Sequence, residues 1–395
     1  MSRFARNVSL LAASQSLMMT ANSLIVATAP LVGLALAANK SLATFPIVAL
    51  QVATLLTSIP AAHFMQRFGR RVGFGSAAVV GAAGGALAAT AIMQQSFGLF
   101  LLGTFLVGVF NGFGNHLRFA AADAAPPEQR SNAVSLVLAG GIVAAIAGPN
   151  LARTTRTMAA SHPFVASYAA LVGVFVLLIV AVAFLRLPSD RPDPTIADGR
   201  GLRAIIAQPR YLAAVVSATF GYATMSFMMT ATPLAMKVHG HPFGETASVI
   251  QWHILGMFAP SLVTGVLIKR FGIVPILLTG AALEGAAVLV NLSGTGVLEF
   301  RVALIALGIG WNFVFIAATT MLTETYTAGE RARAQGFNDL VVFSVVATAS
   351  LSAGALQHRV GWRAVNFAVL PLILGIIACG VWAHRRGKPT LPPQP

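Results

Sequence analysis

About twelve long apolar stretches, separated by short polar turns, constrain this chain more than any other feature. They fall near 8–37, 44–65, 72–94, 97–122, 131–151, 164–187, 211–236, 244–268, 273–292, 298–322, 335–356 and 363–383. Roughly 20 apolar residues in a helix span a bilayer, and inside lipid every backbone N–H and C=O must be bonded within its own segment. A chain that repeats such a segment this often folds as an all-α bundle of membrane helices. With 56% hydrophobic and 9% charged residues and a mean hydropathy of +0.79, it lies far from soluble norms. The first stretch is too long, and too poor in a small-residue cleavage site, to read as a signal peptide.

The charges orient the bundle. With the N-terminus placed in the cytoplasm, 18 of the 26 Lys and Arg residues fall on that side. They include Arg67, Arg70, Arg71, Lys269, Arg270 and Arg385. Seven fall on the other side, among them Lys40, Arg156, Lys237 and Arg359, with Arg118 left near a helix end. That split follows the positive-inside rule and expects both termini in the cytoplasm. The net charge of +15 is then a topology signal. No aromatic residues are interleaved with the basic ones, so no nucleic-acid partner is expected. The single cysteine, Cys379, excludes an internal disulfide and a CxxC metal site. No nucleophile–base set and no Walker-type loop is present, so neither catalysis nor ATP hydrolysis is expected.

The chain is duplicated. A shift of 203 residues lays Pro30-Leu31 on Pro233-Leu234, Ser58 on Ser261, and Arg67-Phe68-Gly69 on Arg270-Phe271-Gly272. At a shift of 202, Pro127-Glu128-Gln129-Arg130 is echoed by Gly329-Glu330-Arg331. The longest polar stretch separates the copies. The expected organisation is a six-helix half over 1–187, a cytoplasmic linker over 188–209, a second half over 210–388, and a disordered Pro-rich tail over 389–395. Two such halves describe a secondary transporter with its site near the midplane between them.

Two ligand pairs stand out in the second half: Met225-x-x-x-Met229 and His253-x-x-x-Met257. Residues four apart share a helix face. Counted outward from a turn near residue 240, Met229 comes level with His253, and Met225 with Met257. Three thioethers and an imidazole suit a soft monovalent metal, copper(I) above all. Methionine also fills irregular gaps between apolar helices, which is the competing account for each Met taken singly. His253 is harder to assign to packing, because ionisable groups within spans usually face a cavity or a partner. The first half lacks these donors: the aligned residues are Asn22, Val26, Leu50 and Thr54. Met236, His239 and His241 at the outer end of the same hairpin read either as entry ligands or as an ordinary polar turn. Glu284, in the middle of a span, reads as a proton-coupling carboxyl or a structural hydrogen bond. Asp339 and Arg118 read as a gate pair between the halves, and Trp311, Asn312, Asn111 and Asn115 as cavity liners.

The loop Gln66-Arg67-Phe68-Gly69-Arg70-Arg71 resembles the signature loop of the major facilitator superfamily. It carries Ala62 for the usual Gly and Gln66 for the usual Asp. The resemblance implies a gate loop built on Arg67, Gly69, Arg70 and Arg71, a bacterial inner-membrane location, and a monomer. The paired MxxxM and HxxxM motifs resemble the CcoA-like branch. That resemblance implies a metal site at Met225, Met229, His253 and Met257, and copper uptake by alternating access for haem–copper oxidase assembly. Copper is then cargo and not a cofactor, and a cytoplasmic copper chaperone is its implied acceptor. The same branch includes riboflavin transporters, so uptake of riboflavin or another flat organic molecule is the alternative; Trp252, Phe227 and Trp311 would then matter more than the thioethers. Efflux of a drug or metabolite, suggested by Ala144-x-x-x-Gly148-Pro149, and ligand sensing without transport remain further alternatives.

Overall fold

The computed structural model describes residues 3–124, 133, 136–137, 139–159, 162–187, 200–327 and 330–386. All regular structure among these residues is helical. Ten helices are long and apolar enough to cross a membrane, and one bent pair makes an eleventh span. The twelfth expected stretch, 131–151, begins largely outside the described residues and resumes as Gly140–Thr155. Spans 1 to 6 are Arg3–Leu36, Phe45–Phe68, Arg70–Met93, Phe97–Gly114 continued by Leu117–Ala124, Gly140–Thr155, and Val165–Ala183. Spans 7 to 12 are Pro209–Val238, Phe243–Phe258 with Ser261–Phe271, Ile273–Ser293, Val297–Thr323, Arg331–Arg359, and Trp362–Ala368 with Leu370–Arg386. The protein is an all-α membrane protein of two six-helix halves.

Three expected spans are interrupted, each for a local reason. Span 8 bends by 41° at Ala259-Pro260, where proline removes a backbone donor and its ring crowds the preceding turn. Span 4 tightens after Gly114: Asn115 N–H donates to Asn111 O at 3.0 Å and His116 N–H to Phe113 O at 3.0 Å. Span 12 restarts at Leu370-Pro371, proline being tolerated in a first helical turn. Leu56, Ile59, Leu262, Leu289 and Leu374 stand exposed around the outside. In water such a surface would aggregate; in lipid it is the solvated face.

The sequence repeat has a backbone counterpart. Gly69 and Gly272 adopt nearly the same left-handed conformation (φ 86°, ψ 151° and φ 92°, ψ 165°). Their N–H groups donate to Met65 O and Ile268 O, both at 2.8 Å. Arg67 lies 5.4 Å over the Phe68 ring and Arg270 5.3 Å over the Phe271 ring. The helix crossings repeat as well. A Cβ on Gly108 would meet the carbonyl of Leu50, and one on Gly308 the carbonyl of His253. Lipid gives helices no hydrophobic reason to associate, so close backbone packing at small residues takes that role. The buried apolar residues fall into two clusters. One is drawn from 8–185 with Leu234, Phe243 and Ala247; the other from 205–383 with Ala27 and Ala145.

The echo at Pro127–Arg130 and the tail at 389–395 lie outside the described residues, as does the expected linker up to residue 199. From residue 200 the linker is structured: Arg200 Nε donates to Glu330 Oε1 at 2.7 Å and Arg200 Nη2 to Glu330 Oε2 at 2.8 Å. A short helix, Leu202–Ile206, follows. Gln208 Nε2 donates to Thr325 O at 3.0 Å, and Arg210 Nε to Glu324 Oε2 at 2.8 Å. These bonds tie the entry of span 7 to the loop between spans 10 and 11.

Two outcomes follow. Gly308→Leu should cost about 1–3 kcal/mol or more by forcing spans 8 and 10 apart, read as a lower unfolding temperature in detergent; an unchanged temperature would contradict the crossing. The guanidinium of Arg200 holds the Glu330 carboxyl down from 4.5 to about 2. A carboxyl depressed by folding stabilises above its unfolded pKa, and that contribution fades as pH drops through the folded one. The stability difference between the protein and Glu330→Gln should therefore be full above pH 4.5 and shrink toward pH 2; a pH-independent difference would remove the pair from the account.

Candidate functional site

Span 7 carries Met225 and Met229 and packs mainly on spans 10, 11 and 12, with a lesser contact to span 1. Span 8 carries His253 and Met257 and packs mainly on spans 5 and 10. The two helices are consecutive in sequence but touch each other only marginally. Met225, Met257 and His253 are buried, and Met229 is half-buried against the same apolar cluster.

His253 is fully buried at the glycine crossing, where its Nδ1 lies 2.7 Å from Leu304 O of span 10. A carbonyl only accepts, so the proton sits on Nδ1 and the bare lone pair on Nε2. Nε2 has no hydrogen-bond partner. A backbone-anchored imidazole with a free Nε2 is a competent metal ligand. It is equally a clamp between spans 8 and 10, and the contact that fixes the ring is to the backbone of span 10.

The other expected residues are spread apart. At the end of span 7, Met236 is buried, His239 Nδ1 donates to Ala235 O at 2.8 Å, and His241 Nε2 to Thr295 O at 2.7 Å. Both imidazoles lean on Phe300, at centroid distances of 6.3 and 5.9 Å. Glu284 is fully buried with neither carboxyl oxygen bonded. It lies on span 9 against Gly310 of span 10 and faces Gly221 of span 7, where a Cβ would come 3.5 Å from Oε1. Arg118 and Asp339 are both exposed and form no ion pair with each other. Arg118 stacks 4.9 Å over Phe119, and Asp339 accepts from Asn338 Nδ2 at 3.1 Å. In the gate loop Arg67 rests on Phe68, and Arg70 opens span 3 directly after Gly69.

Asn312, expected as a cavity liner, spends its amide on the break in span 8. Its Nδ2 donates to Met257 O at 2.7 Å and Ser261 Oγ at 2.6 Å, and its Oδ1 accepts from Thr264 Oγ1 at 2.7 Å. Asn111 on span 4 donates to Asn22 Oδ1 on span 1 at 2.8 Å. Of the aromatic residues tied to an organic cargo, Trp252 is exposed on the flank of span 8 and Phe227 is buried.

Trp311 lies within an assembly that the sequence reading missed. Trp311 and Phe315 of span 10 stack at 5.1 Å with an interplanar angle of 11°. Tyr222 of span 7 stands edge-on to both, at 5.3 and 5.7 Å, and Phe343 of span 11 lies 6.1 Å from Tyr222. Phe258 of span 8 closes the group at 6.4 Å from Trp311. Four spans thus converge on one aromatic cluster. The buried Trp311 Nε1–H has no acceptor. The i, i+4 pair Trp311/Phe315, with Tyr222 one turn before Met225, was the signal available in the sequence.

Comparison with known proteins agrees with this architecture. The chain matches the Major Facilitator Superfamily over residues 11–259 and again over 243–395. It is 41% identical over 370 residues, 93% of each chain, to the riboflavin transporter RfnT of Brucella anthropi. It is 30% identical to the uncharacterized MFS-type transporter YdeG of Bacillus subtilis, over 81% of this chain and 78% of that one. Among solved structures, the transporter FucP in its outward conformation superposes with a TM-score of 0.63 at 18% identity, over 98% of this chain and 100% of that one. That likeness shows the fold alone.

His253→Ala removes a buried hydrogen bond and leaves a cavity, at a cost of about 2–4 kcal/mol. The purified variant should unfold at a clearly lower temperature than the parent. Unfolding at the parent's temperature would detach the ring from the packing of spans 8 and 10 and leave ligation as its sole role.

Proposed function

The chain belongs to the Major Facilitator Superfamily, and on that premise we propose that it is a secondary transporter for riboflavin or a closely similar flat heteroaromatic molecule. It is a multi-pass membrane transporter and not an enzyme. The observation that carries the cargo assignment is the 41% identity to a riboflavin transporter across 93% of both chains. The aromatic cluster supports it physically. Offset-stacked and edge-to-face ring pairs contribute about 0.5–1.5 kcal/mol each beyond the area they bury. An isoalloxazine ring system suits the cluster of Tyr222, Phe258, Trp311, Phe315 and Phe343, and a flavin carbonyl is an acceptor for Trp311 Nε1–H.

This reading displaces copper as the cargo, and with it the copper chaperone as a partner. Met225 and Met257 then return to packing, for which their place in the apolar cluster is sufficient.

The direction proposed is uptake; the positive-inside rule separately puts the basic face in the cytoplasm. The halves bond across the opposite face: Asn150 Nδ2 donates to Gln251 Oε1 at 3.0 Å, and Thr44 Oγ1 to Leu351 O at 3.5 Å. On the basic face Arg118 and Asp339 stand apart, as a gate pair does when its gate is open. Glu284, buried and unpaired beside span 7, is the coupling candidate.

The test is uptake of radiolabelled riboflavin by a bacterial strain lacking its own importer. Trp311→Ala and Tyr222→Ala should each lower uptake about tenfold at low substrate with unchanged amounts in the membrane, and Glu284→Gln should abolish its dependence on the proton gradient. Absence of riboflavin uptake, together with copper accumulation that requires His253, would return the protein to the copper reading.

A further inference from the structure

A cavity of about 470 Å³ lies on the face opposite the basic loops, away from the aromatic cluster. Its walls come from both halves. The end of span 1 at Leu31, the turn after span 3 at Gln95, and Arg156, His162, Pro163 and Phe164 form one side; Lys237 and Phe243 form the other. Its charge is one-sided. Among the described residues, two cations and two histidines line it, and no Asp or Glu does. The acid nearest in sequence, Glu245, is already engaged by Arg301 Nη2 at 2.9 Å.

The setting of Arg156 marks this cavity as built. Arg156 has its guanidinium held 5.5 Å over Phe164 and 5.2 Å over Phe243, one ring from each half, while its buried Nε has no partner. A guanidinium fixed by two rings and short of an acceptor is preorganised for an oxyanion. Gln95 (φ 52°) also lines the cavity; its left-handed backbone is the C-cap of span 3, with Ser96 N–H donating to Ala91 O at 2.9 Å and Gln95 N–H to Ile92 O at 3.2 Å.

We infer that this cavity binds the phosphate group of an amphiphile, its oxygens on Arg156 and Lys237 and its apolar body along Leu31, Phe164 and Phe243. Because Arg156 and Phe243 belong to different halves, an occupant bridges them and stabilises the form closed on this face, by linkage. The inference does not depend on which cargo the central site carries.

Phosphate on an apolar body can come from a phospholipid headgroup or from a soluble ester, and the experiment separates them. In nanodiscs of phosphatidylcholine alone, phenyl phosphate titrated calorimetrically should bind and raise the unfolding temperature, while benzyl alcohol does neither. Arg156→Gln and Lys237→Gln should each weaken binding at least tenfold, with Arg156→Lys retaining most of it as a control for folding. If the headgroup is the natural source, native mass spectrometry from membranes should show bound phosphatidylglycerol on the parent protein and its loss in Arg156→Gln. If a soluble ester is, only the calorimetric signal appears. Absence of both signals, or binding indifferent to Arg156→Gln and Lys237→Gln, would overturn the assignment.

Discussion

The closest approach of spans 8 and 10 governs the second half. Gly308 lies on the carbonyl of His253, so no side chain separates the two backbones. In lipid, helices associate by such contacts and not by hiding apolar surface. The crossing fixes the rest in sequence order. One turn before Gly308, the Leu304 carbonyl receives the His253 ring. One turn after it, Asn312 bridges the broken span 8, and Trp311 is carried into the aromatic cluster. In the first half the same crossing joins Gly108 and Leu50, where an apolar side chain needs no such bond. What distinguishes the second half is the chemistry placed on a shared geometry.

Much of the fold was legible because lipid simplifies the code. The spans follow from apolar length, their ends from Gly and Pro, and the duplication from Arg-Phe-Gly at two places, which the structure returns with matching dihedrals. The breaks at Pro260 and Pro371 carry their cause in the sequence. Contact between the two ligand edges was not legible in the same way. The spacing of Met225/Met229 and His253/Met257 fixes which residues share a face, but not which neighbour that face meets. The hairpin count assumed that consecutive helices pack together, whereas span 8 lies against spans 5 and 10. The aromatic cluster was hidden for the converse reason. Apart from the i, i+4 pair Trp311/Phe315, its members sit on separate spans, so only the packing brings Tyr222, Phe258 and Phe343 to that pair.

Alternating access requires parts that hold and parts that let go, and the bonding pattern sorts them. Arg200–Glu330 and Arg210–Glu324 are bonds within the second half, and they fasten the entry of span 7 to the inner end of span 10. They bind one half into a body that moves as a unit and carry no information about the other. The polar contacts across the halves are of a different kind: an amide pair at Asn150–Gln251, a hydroxyl on a carbonyl at Thr44, and Arg156 between two rings, set beside the packing of span 8 on span 5 and of span 11 on span 2. Each of these polar contacts is worth about a kilocalorie per mole net. They therefore add little to the cost of a rocking motion.

The same logic separates the two cargo readings. A copper(I) site whose donors lie on elements that move relative to each other loses ligands as the halves rock. All four proposed donors lie on spans 7 and 8, within one half, and His253 is further anchored to span 10 of that half. Nothing in a rigid-body rocking motion would take such a site apart. The aromatic cluster also belongs to one half; in the opposing half Asn111 Nδ2 donates to Asn22 Oδ1 at 2.8 Å. A flat molecule bound between a π surface on one half and polar groups on the other loses one set of contacts as the halves part. Binding and release then follow from one movement, without any change in the chemistry of the protein's own groups.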